Sequence, residues 1–234
     1  MDIAAALWEQ ATAAHPAPPD WVVLLAAAIA LATVLAPFLW VRAGHAVTIA
    51  HESGHALVAV LTGRRLVQIR LHSDTSGLTT SSGAPRGPGV VLTTLAGYPA
   101  PAALGLAAAA LLNGGYVVGV LFALLTLLLP LLLIVRNAFG LWSVLLTGAA
   151  VAAAVWWLPA EWQVLFAYGV AWFLLLAAPR AILDLIGLRR RRQDRGSDAA
   201  RLALLTRLPA GVWVGLMLAT TLAALWVGAG WLLP

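Results

Sequence analysis

From Trp21 to Leu233 this chain of 234 residues is a series of apolar runs, each long enough to cross a bilayer and each ended by a short polar break. That pattern restricts the fold more than any other feature. Backbone groups in hydrocarbon must find partners within the protein, and a helix of about 20 residues does so by itself. Runs at 21–41, 44–62, 116–135, 138–158, 162–183 and 209–232, with another starting near Val90, predict about seven transmembrane helices. Composition agrees: 62% of residues are hydrophobic and 10% charged, whereas soluble domains are about half apolar and about a quarter charged. The expected fold is an all-α polytopic membrane protein, a single membrane-embedded domain over 1–234 with its core at 44–215.

All fourteen basic residues are arginine, set against nine acidic ones for a formal charge of +5. They follow the membrane, so no nucleic-acid partner is expected. With a cytoplasmic amino terminus, the loops at 63–89, 136–137 and 184–208, together with Arg180 at a span end, hold every arginine except Arg42. Thirteen of fourteen on one side is a strong positive-inside signal. Residues 1–20 carry Asp2 and Glu9 and break at His15-Pro-Ala-Pro-Pro-Asp20, without the basic start or small-residue cleavage pattern of a signal peptide. The arginine and alanine bias suits a GC-rich genome, and the expected location is a bacterial plasma membrane, crossed several times. There is no cysteine, so any metal must be held by histidine and carboxylate.

Inside the second run stands His51-Glu-Ser-Gly-His55. Residues four apart on a helix share a face, so both imidazoles can aim at one ion. Glu52, about a quarter turn round, can reach a water beside that ion without becoming a ligand. Zinc polarises a carbonyl and lowers the pKa of a water to about 7, while the glutamate removes the proton and later returns it. Ionisable side chains within an apolar run are costly and mark function. This spacing is the H-E-x-x-H pattern of zinc metallopeptidases. His45 lies six residues before His51, on a different face, and reads as a helix-end histidine.

After the motif helix, Leu66 to Leu71 alternates apolar and polar side chains, Ser73-Asp-Thr-Ser-Gly77 is turn chemistry, and a second strand-like run follows. A small β-hairpin beside the motif helix is expected, with an edge able to take an extended peptide as a further strand. Leu95-Ala-Gly-Tyr-Pro-Ala-Pro lies in a span whose small residues permit close packing on the motif helix. The cytosolic connector at 188–208 is basic, and within it Ser197-Asp198 opens an apolar-faced helix. Arg136 and Asn137 end a span, where snorkelling and capping account for both.

Together these segments resemble the site-2 protease family of intramembrane zinc metallopeptidases, especially its compact B-like branch. The resemblance is carried by His51-Glu-Ser-Gly-His55, by Gly63 and the strand-like segment with Ser76-Gly77-Leu-Thr79, by Ala96-Gly-Tyr98, by Arg136-Asn-Ala-Phe-Gly140 and by Ser197-Asp-Ala199, and it spans about residues 45 to 215. It implies a zinc ion within the membrane plane, water reaching it from the cytosol, and a third protein ligand, an aspartate. In the better-known branches that aspartate belongs to an Asp-Gly pair in a later span, and this chain has no such pair. Four aspartates lie on the expected cytosolic side: Asp74, Asp184, Asp194 and Asp198. Asp194, within an arginine run, reads as a solvated ion pair. Asp198 is the first choice of ligand, with stabilisation of a helix N-terminus as its rival role. Asp184, at the cytosolic end of an apolar span, is the second choice. By the resemblance, Asn137 donates a hydrogen bond to the substrate backbone or the developing oxyanion.

The expectation is an intramembrane zinc metalloendopeptidase that cleaves membrane-spanning or membrane-adjacent proteins or peptides. His51, His55 and Asp198 are the metal ligands for Zn2+, Glu52 is general base and then acid, and Asn137 binds substrate. A zinc transporter would spread its ionisable residues along a route through several spans, and an inactive scaffold would have no use for Glu52. A lipid oxidase would need several histidine boxes from only five histidines.

Overall fold

Proline divides the helices of this chain. In the computed structural model, which describes residues 2–194 and 196–234, three helices start on a proline: α3 (Pro37–Leu61), α4 (Pro88–Leu95) and α5 (Pro99–Asn113). A proline in the first turn loses no hydrogen bond, yet it pushes the residue before it out of the helical region. Ala36 accordingly is extended, at φ −78° and ψ 116°, and separates α3 from α2 (Asp20–Leu35). The α2–α3 pair bends by 101° there, and the α4–α5 pair bends by 67°. The other helices are α1 (Ile3–Thr12), α6 (Val117–Leu128), the short α7 (Leu131–Ile134), α8 (Ala138–Trp157), α9 (Ala160–Arg190), α10 (Asp198–Thr206) and α11 (Ala210–Leu232).

Four stretches are long and apolar enough to cross a membrane alone: 117–134, α8, α9 and α11. Counting each bent pair as one span gives six at most, among the described residues. The expected seven counted α2 and the motif helix α3 as separate crossings, with a break near Arg42. The break falls instead at Ala36–Pro37, and α2, at 16 residues, is only about 24 Å long.

That bend also alters which end the amino-terminal segment occupies. His15 N–H donates to the Gly115 carbonyl at 2.9 Å, and residues 15–18 share a crevice with Tyr168 and residues 231–234. By Trp40 the chain has reached the other end of the bundle, where the indole N–H donates to Asp184 near the end of α9. Residues 15–20, the 114–116 loop and the carboxyl end therefore lie together, opposite the arginine-bearing loops. Arg42, two residues past Trp40, joins the other arginines. A cytoplasmic amino terminus required two crossings before residue 63, whereas the bent pair is either one broken span or a re-entrant loop.

The core is built on α9, where Ala167, Ala171, Leu175 and Ala177 are fully buried. The small size of the alanines lets neighbouring backbones approach. The stripe Val23, Ala26, Ala30 and Val34 of α2 is buried too, at three- and four-residue spacing. Large apolar side chains such as Leu133 and Trp226 are exposed on the outside, as suits a surface facing acyl chains.

The hairpin forms as expected. β1 (Arg65–Leu71) and β2 (Gly77–Ser82) pair antiparallel, Ile69 opposite Thr79 and Leu71 opposite Gly77. Asp74 accepts hydrogen bonds from Ser76 N–H and hydroxyl at its tip, and these hold its carboxyl below the usual range. Thr48 Oγ1 of α3 donates to the Thr75 carbonyl at 2.7 Å, docking the tip on the motif helix. The outer edge of β1 is covered. Val135 bridges to Ile69, Arg136 N–H donates to the Ile69 carbonyl at 3.0 Å, and the Asn137 side-chain amide pairs with both backbone groups of Leu71. Among the described residues β2 has no second partner strand, so its outer edge is open.

Candidate metal centre

His51 and His55 stand one turn apart on α3 with their Nε2 atoms 3.1 Å from each other. Asp198 Oδ2 lies 3.1 Å from the first and 3.2 Å from the second. Two imidazoles and a carboxylate suit a divalent ion of zinc's type. A tetrahedral zinc with bonds of about 2.0–2.1 Å needs donors about 3.3–3.4 Å apart, so the triangle is short of one tetrahedral face by only about 0.2 Å.

The donor atoms are aimed by bonds behind them. His55 Nδ1 is 2.7 Å from the Thr93 carbonyl oxygen. A carbonyl only accepts, so the ring proton sits on Nδ1 and the Nε2 lone pair faces the centre. In an unbroken helix that carbonyl would accept Gly97 N–H. Here α4 stops at Leu95 and Pro99 opens α5, so the Thr93 oxygen keeps only a long contact from Ala96 N–H, at 3.4 Å, and is free to accept from the histidine. Gly97 sits in the break, against the ligands themselves. A Cβ there would lie 2.5 Å from both Nε2 atoms. Tyr98 meets the His51 ring edge-on at 4.7 Å, and a Cβ on Gly54 would strike Ala100 and the Ala96 carbonyl, so α3 packs directly on the break.

Glu52 is 4% exposed, and its carboxylate lies within 4.8 Å of both ring nitrogens. Its Oε2 accepts from Thr79 Oγ1 at 2.6 Å. Oε1 lies against Gly77, where a Cβ would be 2.4 Å away. Both contacts come from β2.

Asp198 arrives on α10. Ser197 caps that helix, accepting from Ala200 N–H at 3.3 Å, and Ala199 and Leu202 are fully buried among Ile182, Leu185 and Met217. Asp194, expected as a solvated ion pair, does more. One carboxylate oxygen accepts Ser197 N–H at 3.0 Å, and the other takes the Ser197 hydroxyl and the Arg189 guanidinium. Asp184 is engaged elsewhere, paired with Arg180 at 2.6 Å and accepting from Trp40. His45 rests edge-on against Phe139, away from the centre. Asn137 holds Leu71 with both ends of its amide and does not line the cavity.

That cavity, of about 620 Å³, is lined by His51, Glu52, His55 and Asp198, by residues 77–81 of β2, and across from the strand by Ala181, Asp184 and Leu185 of α9. Thr79, Gly77 and Thr93 had no assigned role in the sequence, because no local spacing links them to residues 51–55, and Gly97 was expected only as one of the small residues packing on the motif helix. The glycine-tyrosine-proline run at 97–99 was the one signal that a helix breaks there.

The sequence profile of the Peptidase M50B-like family matches residues 24–228. No curated protein and no solved structure matches the chain. With that profile over most of the length, and a His-Glu-His cluster of metallopeptidase spacing among apolar helices, the chain belongs to the M50B-like peptidases and is a membrane metallopeptidase.

Proposed function

We propose that the protein is an intramembrane zinc endopeptidase acting on membrane-spanning or membrane-adjacent segments presented as extended strands. The observation that carries this reading is the triangle of His51, His55 and Asp198 donors, 3.1–3.2 Å on a side, in a cavity edged by an open β-strand. These three residues would hold the ion. When bound, zinc supplies a Lewis acid and lowers the pKa of a water to about 7.

The remaining chemistry belongs to the chain. Substrate backbone pairs with the free edge of β2, which holds it unwound and lays a peptide bond across the cavity. Glu52 takes a proton from the attacking water as oxygen bonds to the carbonyl carbon. It then delivers that proton to the amide nitrogen as the C–N bond breaks. His55 Nδ1–H, fixed on Thr93, keeps the Nε2 lone pair aimed throughout. Asn137 serves substrate binding indirectly, by clamping β1 so that only β2 is left to be extended.

The arginine-bearing end faces the cytosol by the positive-inside rule, which puts the cavity within reach of cytosolic water and residues 15–20 on the far side. Purified protein should retain close to one zinc, and His51→Ala and Asp198→Ala should lose it while Asp184→Ala keeps it. Glu52→Gln should keep zinc and fail to cleave a transmembrane peptide that the wild type cuts. Folded wild type without zinc affinity, or an active Glu52→Gln, would overturn the reading.

A further inference from the structure

Strand β2 touches both oxygens of the Glu52 carboxylate. Thr79 Oγ1 lies 2.6 Å from Oε2 and 3.1 Å from the Glu52 carbonyl oxygen. A hydroxyl has one proton to give, and the shorter, charge-assisted contact takes it. Gly77, two residues earlier and so on the same face of the strand, approaches Oε1 closely enough that no side chain fits between them. Oε2 is thus committed to Thr79, and Oε1, packed against Gly77, has no side-chain donor of its own among the described residues.

We propose that Thr79 is a positioning residue of the peptidase. It pins Glu52 through Oε2 so that Oε1 is the oxygen that takes the proton from water, and it ties that setting to the strand on which the peptide lies. The inference rests on Glu52 acting as general base.

Two features make the hydroxyl more than a local contact. Glu52 is almost wholly buried, and an isosteric valine at position 79 fills the space a replacement water would need, so the acceptor it leaves unsatisfied is costly. Thr79 is also held by a frame outside α3. It pairs with Ile69, which is 2% exposed and is bonded on its other side by Val135 and Arg136. The base takes its direction from the hairpin rather than from its own helix, and a peptide added to β2 is registered against the same residue.

The test uses full-length protein in detergent, loaded with zinc, on a peptide that the wild type cleaves. Thr79→Val keeps the shape without the hydroxyl, and Thr79→Ser keeps the hydroxyl without the methyl. Zinc content and its resistance to a chelator should match wild type in both variants. For Thr79→Val, KM should stay within about twofold while kcat falls about ten- to hundredfold. Thr79→Ser should recover kcat to within about fivefold of wild type. An unimpaired Thr79→Val, an equal loss in both variants, or loss of zinc from Thr79→Val would overturn the inference. A wild type that does not cleave removes the Glu52 reading and this one with it, whereas a cleaving wild type beside an unimpaired valine variant removes this one alone.

Discussion

Gly97 is the residue whose smallest change has the largest consequence. An alanine methyl would stand 2.5 Å from both ligand nitrogens, in the space a metal needs, so Gly97→Ala should lower zinc affinity by about tenfold or more. Chelator competition would measure that loss, and circular dichroism should show helix content unchanged. Nothing local in the sequence announces this, because Gly97 meets His55 across 42 positions. His51, Glu52 and His55 were legible for the opposite reason. Helical spacing alone puts them together, and an apolar setting explains why they are there. Asp198 was legible only as the first of a few acidic candidates; the structure brings its carboxylate to the two imidazoles and engages Asp184 with Trp40 and Arg180.

Among elements, the period-two alternation of 66–71 and the turn residues after it gave the hairpin, and Ser197 gave the start of α10. The break after α2 was misplaced because Arg42 looked like a span end, although Ala36-Pro37 carried the stronger stereochemical signal. The loop before α10 now acquires a purpose. Asp194 fastens Ser197 to the end of α9, and Ser197 starts the helix that presents Asp198. Asp194→Ala should therefore weaken zinc retention about ten- to hundredfold, the usual cost of losing support behind a ligand, as measured by chelator competition. Burial raises the Asp194 carboxyl, but the Ser197 bonds and Arg189 outweigh it and hold the group below the ordinary carboxylate range. A depressed folded pKa means that this clasp is complete above the ordinary range and lost only as pH falls through the depressed value. At neutral pH, where the clasp is complete, Asp194→Asn should retain zinc less well than wild type in the same chelator competition.

For the whole molecule, the arrangement of ends is the most direct check. An epitope before Asp20 and another after Leu233 should be cut by protease from the same side of the membrane, and one inserted in the 191–196 loop from the other. Opposite sides for the first two would restore an odd number of crossings and straighten the α2–α3 bend into separate spans. The proposed ligand set is also divided along the chain, two donors on α3 and the third on α10, with 143 positions from His55 to Asp198. During synthesis the histidines leave the ribosome early, but the site stays incomplete until α9 is made and α10 folds back beneath α3. On the proposed ligand set, a chain still lacking α10 holds only two of the three donors, so zinc affinity should appear only once Asp198 is in place.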